Sequence, residues 1–103
     1  MRVDFTFDKN SVEADGYTLE DIYRIIKKEF AAKNLPCVSD KEVLSFSGTG
    51  NKNDFSYMLV TIDKITRFEW FLNYTTSCIW RRDEHKWEDI LRQVKEEKQA
   101  MRA

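Results

Sequence analysis

Chemistry at a protein site needs groups that converge, and this chain of 103 residues offers one histidine, His85, and two cysteines, Cys37 and Cys78. A thiol acts as a nucleophile when a base lies within hydrogen-bonding reach and lowers the cost of making the thiolate. Cys78 sits between Ser77 and Ile79 in an apolar run and reads as a small buried hydrophobe, while Cys37 follows the only proline, Pro36. His85 is flanked by Glu84 and Lys86, as a solvent-facing side chain would be. One histidine with two distant cysteines lacks the ligand spacing of a zinc site, and neither cysteine belongs to a CxxC pair. The residues therefore predict no catalytic set, no metal and no cofactor, and the chain reads as a non-enzyme.

The one glycine-rich stretch, Gly48-Thr49-Gly50-Asn51-Lys52-Asn53, precedes a helical pattern. Free backbone N–H groups at such a place favour an anion. A phosphate-binding P-loop, however, continues its second glycine with Lys and Ser or Thr, whereas here Asn53, Asp54 and Phe55 follow and the acid opposes a phosphate. A plain loop with a helix capped by Asn53 or Asp54 fits these residues better.

Binding is the remaining chemistry. Trp80, Arg81 and Arg82, with Trp70 and Tyr74 upstream, have the composition of a stacking platform for single-stranded nucleic acid. Against this, strand aromatics are commonly core, and Asp83 and Glu84 offset the two arginines at once. A last helix bearing Trp87, Leu91 and Val94 could instead dock on another protein or a second copy. Trp80, Arg81, Arg82, Trp87, Leu91 and Val94 together form the candidate binding surface.

Seventeen basic and eighteen acidic residues give a net charge of −1, with the signs interleaved, so no basic face for duplex binding is evident. A 42% hydrophobic and 14% aromatic composition argues against a disordered chain. No run approaches the roughly 18 apolar residues of a membrane span, no signal peptide is recognisable, and two free thiols point to the reducing cytoplasm.

These residues must be positioned by a small set of elements. Val3, Phe5 and Phe7 alternate with polar residues and predict a first strand. Asn10 or Ser11 would cap a turn over Val12 to Asp15, ended by Gly16. Thr18 and Asp21 form a capping box for a first helix over Leu19 to Lys33, with the stripe Leu19, Ile22, Tyr23, Ile26 and Phe30 and a stop at Asn34 and Pro36. Residues 37 to 47 read as extended, with a turn at Asp40 and Lys41 between a short arm and a strand over Glu42 to Phe46. Phe55, Met58, Leu59, Ile62 and Ile65 define a second helix. A short turn near Trp70 to Leu72 then leads into a strand from Thr75 to Arg81 at the heart of the aromatic stretch Arg67 to Arg82. Asp83 would cap a third helix over Trp87, Ile90, Leu91 and Val94, whose end from Lys95 to Ala103 is polar and should project or fray.

The fold class predicted is α+β, a single domain over residues 1–103 in the order β-α-β-α-β-α, with helices packed on a three- or four-stranded sheet. If the first two strands are neighbours across the first helix, they should be parallel with a right-handed crossover. The stretches FAAKNLPCVSDKEVLSFSGTG (Phe30 to Gly50) and WFLNYTTSCIW (Trp70 to Trp80) resemble a group of small uncharacterised proteins of Gram-positive bacteria, some carried by mobile elements. The resemblance covers most of the chain up to Trp80 and implies a bacterial cytoplasmic accessory protein; it brings no activity or site residues. The expected function is a small binding domain acting through protein–protein contacts, with a single-stranded nucleic-acid accessory domain as the alternative.

Overall fold

The alternation in the first strand, β1 (Arg2–Phe7), sends Val3 and Phe5 to one face, where both are fully buried. β1 lies at the centre of a five-stranded sheet in the order β2-β3-β1-β4-β5, in a computed structural model that describes residues 1–102. The other strands are β2 (Cys37–Asp40), β3 (Leu44–Ser47), β4 (Thr75–Arg81) and β5 (Trp87–Asp89). Five helices accompany them among the described residues: α1 (Lys9–Ala14), α2 (Leu19–Ala31), α3 (Asp54–Thr66), the single turn α4 (Phe71–Tyr74) and α5 (Ile90–Arg102). The α+β class and the single domain agree with the sequence reading, whereas the strand count and order are corrected.

Every pairing is antiparallel. The parallel crossover fails because the extended region after α2 makes two strands: β2 turns back through residues 41–43 into β3, which then meets β1 antiparallel, with Val3 opposite Phe46 and Phe5 opposite Leu44. The short arm is thus a true edge strand.

The second correction is at Trp87. Arg82 N–H donates to Lys86 O at 2.8 Å, and Asp83 accepts from the N–H groups of His85 and Lys86 at 2.8 and 2.9 Å. Residues 83–86 therefore turn a hairpin, and Trp87 to Asp89 pair with Arg81 to Ile79. Asp83 caps this turn, and the acceptor for the start of α5 is Asp89, which receives the Arg92 N–H at 3.1 Å.

Local chemistry sets the other helix boundaries. Asp8, not Asn10 or Ser11, caps α1, accepting from Asn10 N–H and Ser11 Oγ. The Thr18–Asp21 capping box is present at the start of α2. That helix stops at Ala31, slightly short of Lys33, and Asn34 takes the left-handed conformation (φ 58°) while Leu35 N–H closes on Phe30 O.

The core lies between one sheet face and the helices. Phe30 of α2 stacks on Phe46 with ring centroids 3.9 Å apart, and Phe5 meets both edge-on. Met58, Ile62 and Ile65 of α3 join Cys78 and Trp80 in the same cluster. The opposite sheet face carries Arg2, Asp4, Thr6, Ser45, Ile79, Arg81 and Trp87 by alternation and register. With extents of 39 × 35 × 22 Å, the molecule has the thickness of one sheet and one helix layer. Among the described residues no helix is long and apolar enough to cross a membrane.

Candidate functional site

The structure divides the six surface residues expected from sequence between the two faces of the β4–β5 hairpin. Trp80 and Arg82 share the core side with Glu88, the register partner of Trp80, while Arg81 and its partner Trp87 occupy the opposite face. Leu91, in the first turn of α5, is buried, and Val94 is half-buried. Trp80 is 1% exposed and leaves no free ring face beside the two arginines.

What the hairpin builds instead is a groove between α3 and α5. Its walls are Phe55, Leu59 and Ile62 of α3 and Ile90 and Val94 of α5, above Trp80, and it encloses about 330 Å³. Phe55 stacks on Trp80 with centroids 5.4 Å apart, and the Arg82 guanidinium lies 5.8 Å from the Trp80 ring and 6.0 Å from Phe55. Glu88 Oε2 forms an ion pair with Arg82, 3.3 Å from a buried Nε that makes no hydrogen bond. The indole N–H of Trp80 is buried and meets no acceptor.

The helix that forms one wall is apolar on more than its core side. Met58, Ile62 and Ile65 are buried as the periodicity requires, yet Phe55, Leu59, Tyr57 and Val60 remain exposed at 43, 45, 39 and 55%. Sequence reasoning placed Phe55 and Leu59 in the buried stripe of α3; the structure puts them at the groove mouth. The surplus of apolar positions on α3 over those needed for one face was the available signal. The rim carries Asp63, Glu88 and Glu97, of which Asp63 pairs with Arg67 at 2.8 Å and Glu88 with Arg82, leaving Glu97 as the acid without an ion pair among the described residues.

The expected chemical groups do not converge. Cys78 is fully buried, and burial pushes its thiol strongly up, with Asp89 and Asp4 adding to the effect. Cys37 is exposed on edge strand β2, with its thiol donating to Ser39 O at 3.3 Å. His85 is exposed in the hairpin turn. Among the described residues no three of His, Cys, Asp and Glu are placed to hold a metal ion.

The glycine loop already has its anion. Asp54 is buried and accepts from the N–H groups of Thr49 and Gly50, each at 2.8 Å, and from Thr49 Oγ1 at 3.0 Å. Burial pushes its carboxyl up, but these bonds outweigh it and hold the group below the usual carboxylate value. The donors a phosphate would need are therefore spent on a side chain of the following helix.

On the uncovered sheet face, Asp4 bridges two arginines, 2.7 Å from Arg2 Nε and 3.5 Å from Arg81 Nε, and accepts from Ser45 Oγ. Partial burial pushes Asp4 up, and the bonds from Ser45 and Arg2 with both positive charges bring it below its ordinary value. Trp87, 61% exposed, stands beside this polar ladder.

The fold and its surface define a two-layer α+β domain with a groove of mixed apolar and charged lining. Comparison with protein-family models, with curated proteins and with solved structures gives no match.

Proposed function

We propose that the chain is a non-enzymatic protein-binding domain that receives an apolar helical segment of another polypeptide in the α3–α5 groove. The observation that carries this reading is the exposure of Phe55 and Leu59 on α3 directly across from Val94 of α5. Side chains of this size left open between two helices match the way amphipathic helices are received. Phe55 and Arg82, which lie over the buried Trp80, have the composition of an interface hot spot, and the unpaired Glu97 at the rim favours a ligand with basic flanks. Such a domain serves an accessory or regulatory role, and its unpaired cysteines fit a reducing cytoplasm.

A variant retaining Trp80 as sole tryptophan (Trp70→Phe with Trp87→Phe), titrated with a synthetic Leu/Lys amphipathic helical peptide, tests the groove. Trp80 emission should shift on binding, lose the response in Leu59→Glu, and respond far less to the Leu/Glu counterpart. An emission unmoved by the Leu/Lys peptide would sink the proposal.

A second reading has its own observation. Arg81 and the exposed Trp87 are register partners on the uncovered sheet face, a side on which single-stranded nucleic acid could stack. It predicts salt-sensitive binding of a labelled oligothymidine, lost in Trp87→Ala and in Arg81→Ala. No binding at low salt removes it.

A further inference from the structure

We infer that the occupant of the groove is a second copy of this chain, docked antiparallel through α5; this rests on the protein-binding reading and names its partner. The two sides of α5 have different surroundings. Leu91, Arg92, Lys95, Glu96 and Gln99 face a shallow dent beside Thr76 and Ser77 of β4, whereas Ile90, Gln93, Val94 and Glu97 face the groove. Met101 lies two turns beyond Val94 and so returns to the groove side, where it is 87% exposed. The apolar stripe of α5 thus outlasts the domain that should cover it.

That stripe is complementary to itself. With a two-fold axis between positions 97 and 98, an antiparallel copy of α5 brings the partner's Met101 against Val94 and the partner's Lys98 against Glu97, and symmetry repeats both contacts. Each copy of Met101 then enters the apolar part of the groove beside Leu59, and its unbranched side chain adapts to an irregular surface. Arg92 and Glu96 pair with each other along the helix, while Glu97 and Lys98 make no ion pair among the described residues. They are opposite charges on adjacent positions, as this pairing requires. A net charge of −1 opposes the approach of two copies only weakly.

Sedimentation velocity on the full chain from about 10 µM to about 1 mM, at low salt, tests the pairing. Wild type should pass from monomer to dimer across that range. Glu97→Lys sets like charges against each other at both symmetric contacts, and so does Lys98→Glu. Either alone should raise the dissociation constant about tenfold or more. The double variant Glu97→Lys with Lys98→Glu exchanges the signs and should restore wild-type association. All four positions altered in the two chains are exposed, so circular dichroism and melting at a concentration where every chain is monomeric should be unchanged throughout. A wild-type chain that stays monomeric at the top concentration overturns the inference, as does a double variant no better than the single ones. If the Leu/Lys peptide still binds the groove of a monomeric chain, the homodimer alone falls; if it does not, both readings fall.

Discussion

Each of the titratable groups that organises this molecule is held by a neighbour whose geometry fixes its chemistry. Gly48 approaches Asp54 so closely that an added Cβ would lie 2.6 Å from Oδ2, so Gly48→Ala must displace the carboxylate and with it the loop bonds at Thr49 and Gly50. Because the folded state holds the Asp54 carboxyl low, it contributes stability that is present above the ordinary value of 3.8 and lost as pH falls through the folded value. Asp54→Asn should therefore melt lower than wild type at pH 7 and converge on it as pH falls through the folded value, a difference measured by thermal melts across the acid range. Tyr74 shows the opposite sign. Its hydroxyl donates to Asp15 at 2.5 Å, and this bond, with burial, pushes the phenol up to about 12. The bond is intact below pH 10 and is lost as pH rises through 12, so Asp15→Asn should diminish the alkaline shift seen in a phenolate absorbance titration. The cysteines divide by exposure. Iodoacetamide at neutral pH should label Cys37 and leave Cys78 unmodified until denaturant is added; mass spectrometry showing native labelling at Cys78 would contradict its place in the core.

At the scale of elements, short-range signals were legible where the chain obeys one of them at a time. Thr18 and Asp21 announce α2, and the period of two announces β1, because capping and alternation depend on neighbours within a few residues. Thr18→Ala, which removes one half of that box, should cost about 1 kcal/mol in denaturant melts, with the slope unchanged. The hairpin β4–β5 was misread for a definite reason. Trp87, Ile90, Leu91 and Val94 have helical spacing, but the first of them is fixed by pairing to Arg81, a contact that periodicity does not carry. Asp83 signals a turn and a helix cap equally well, since in both cases its carboxylate accepts from nearby backbone N–H groups. The same limit left β2 a short extended arm in the sequence reading: its four residues are too few for a pattern, and its pairing with β3 is what makes it a strand. It also hid the sidedness of the candidate surface. Trp80, Arg81 and Arg82 are adjacent in sequence, yet alternation sends Trp80 and Arg82 to the groove and Arg81 to the other face, beside Trp87. The groove itself depends on where α3 and α5 meet the sheet, which only the assembled topology shows.

For the molecule as a whole, the layer arrangement separates what stabilises the fold from what is available to a partner. Stability resides in a core from Val3 to Leu91, in which Phe5, Phe30, Phe46, Phe71 and Trp80 are almost wholly removed from water. Past Val94, every described side chain of α5 is exposed. Removal of that segment by a stop after Val94 takes away no buried side chain, and the first turns of α5, with Ile90 and Leu91 docked beside β4, keep their anchors. The truncated chain should therefore unfold at nearly the wild-type midpoint, since solvated terminal turns contribute little beyond their own fraying equilibrium. It should nevertheless lose concentration-dependent association, because Glu97, Lys98 and Met101 are gone. By contrast Phe5→Ala, which opens a cavity at the centre of the sheet, should destabilise by about 3–5 kcal/mol. Any loss of dimer in that variant would follow from loss of the fold. Those two outcomes would assign the two ends of α5 to different tasks: the first residues pack against β4, and the last turns serve the contact inferred above. A truncation that unfolds the domain would instead make the whole of α5 part of the core, and the exposed stripe ending in Met101 would lose its standing as a surface.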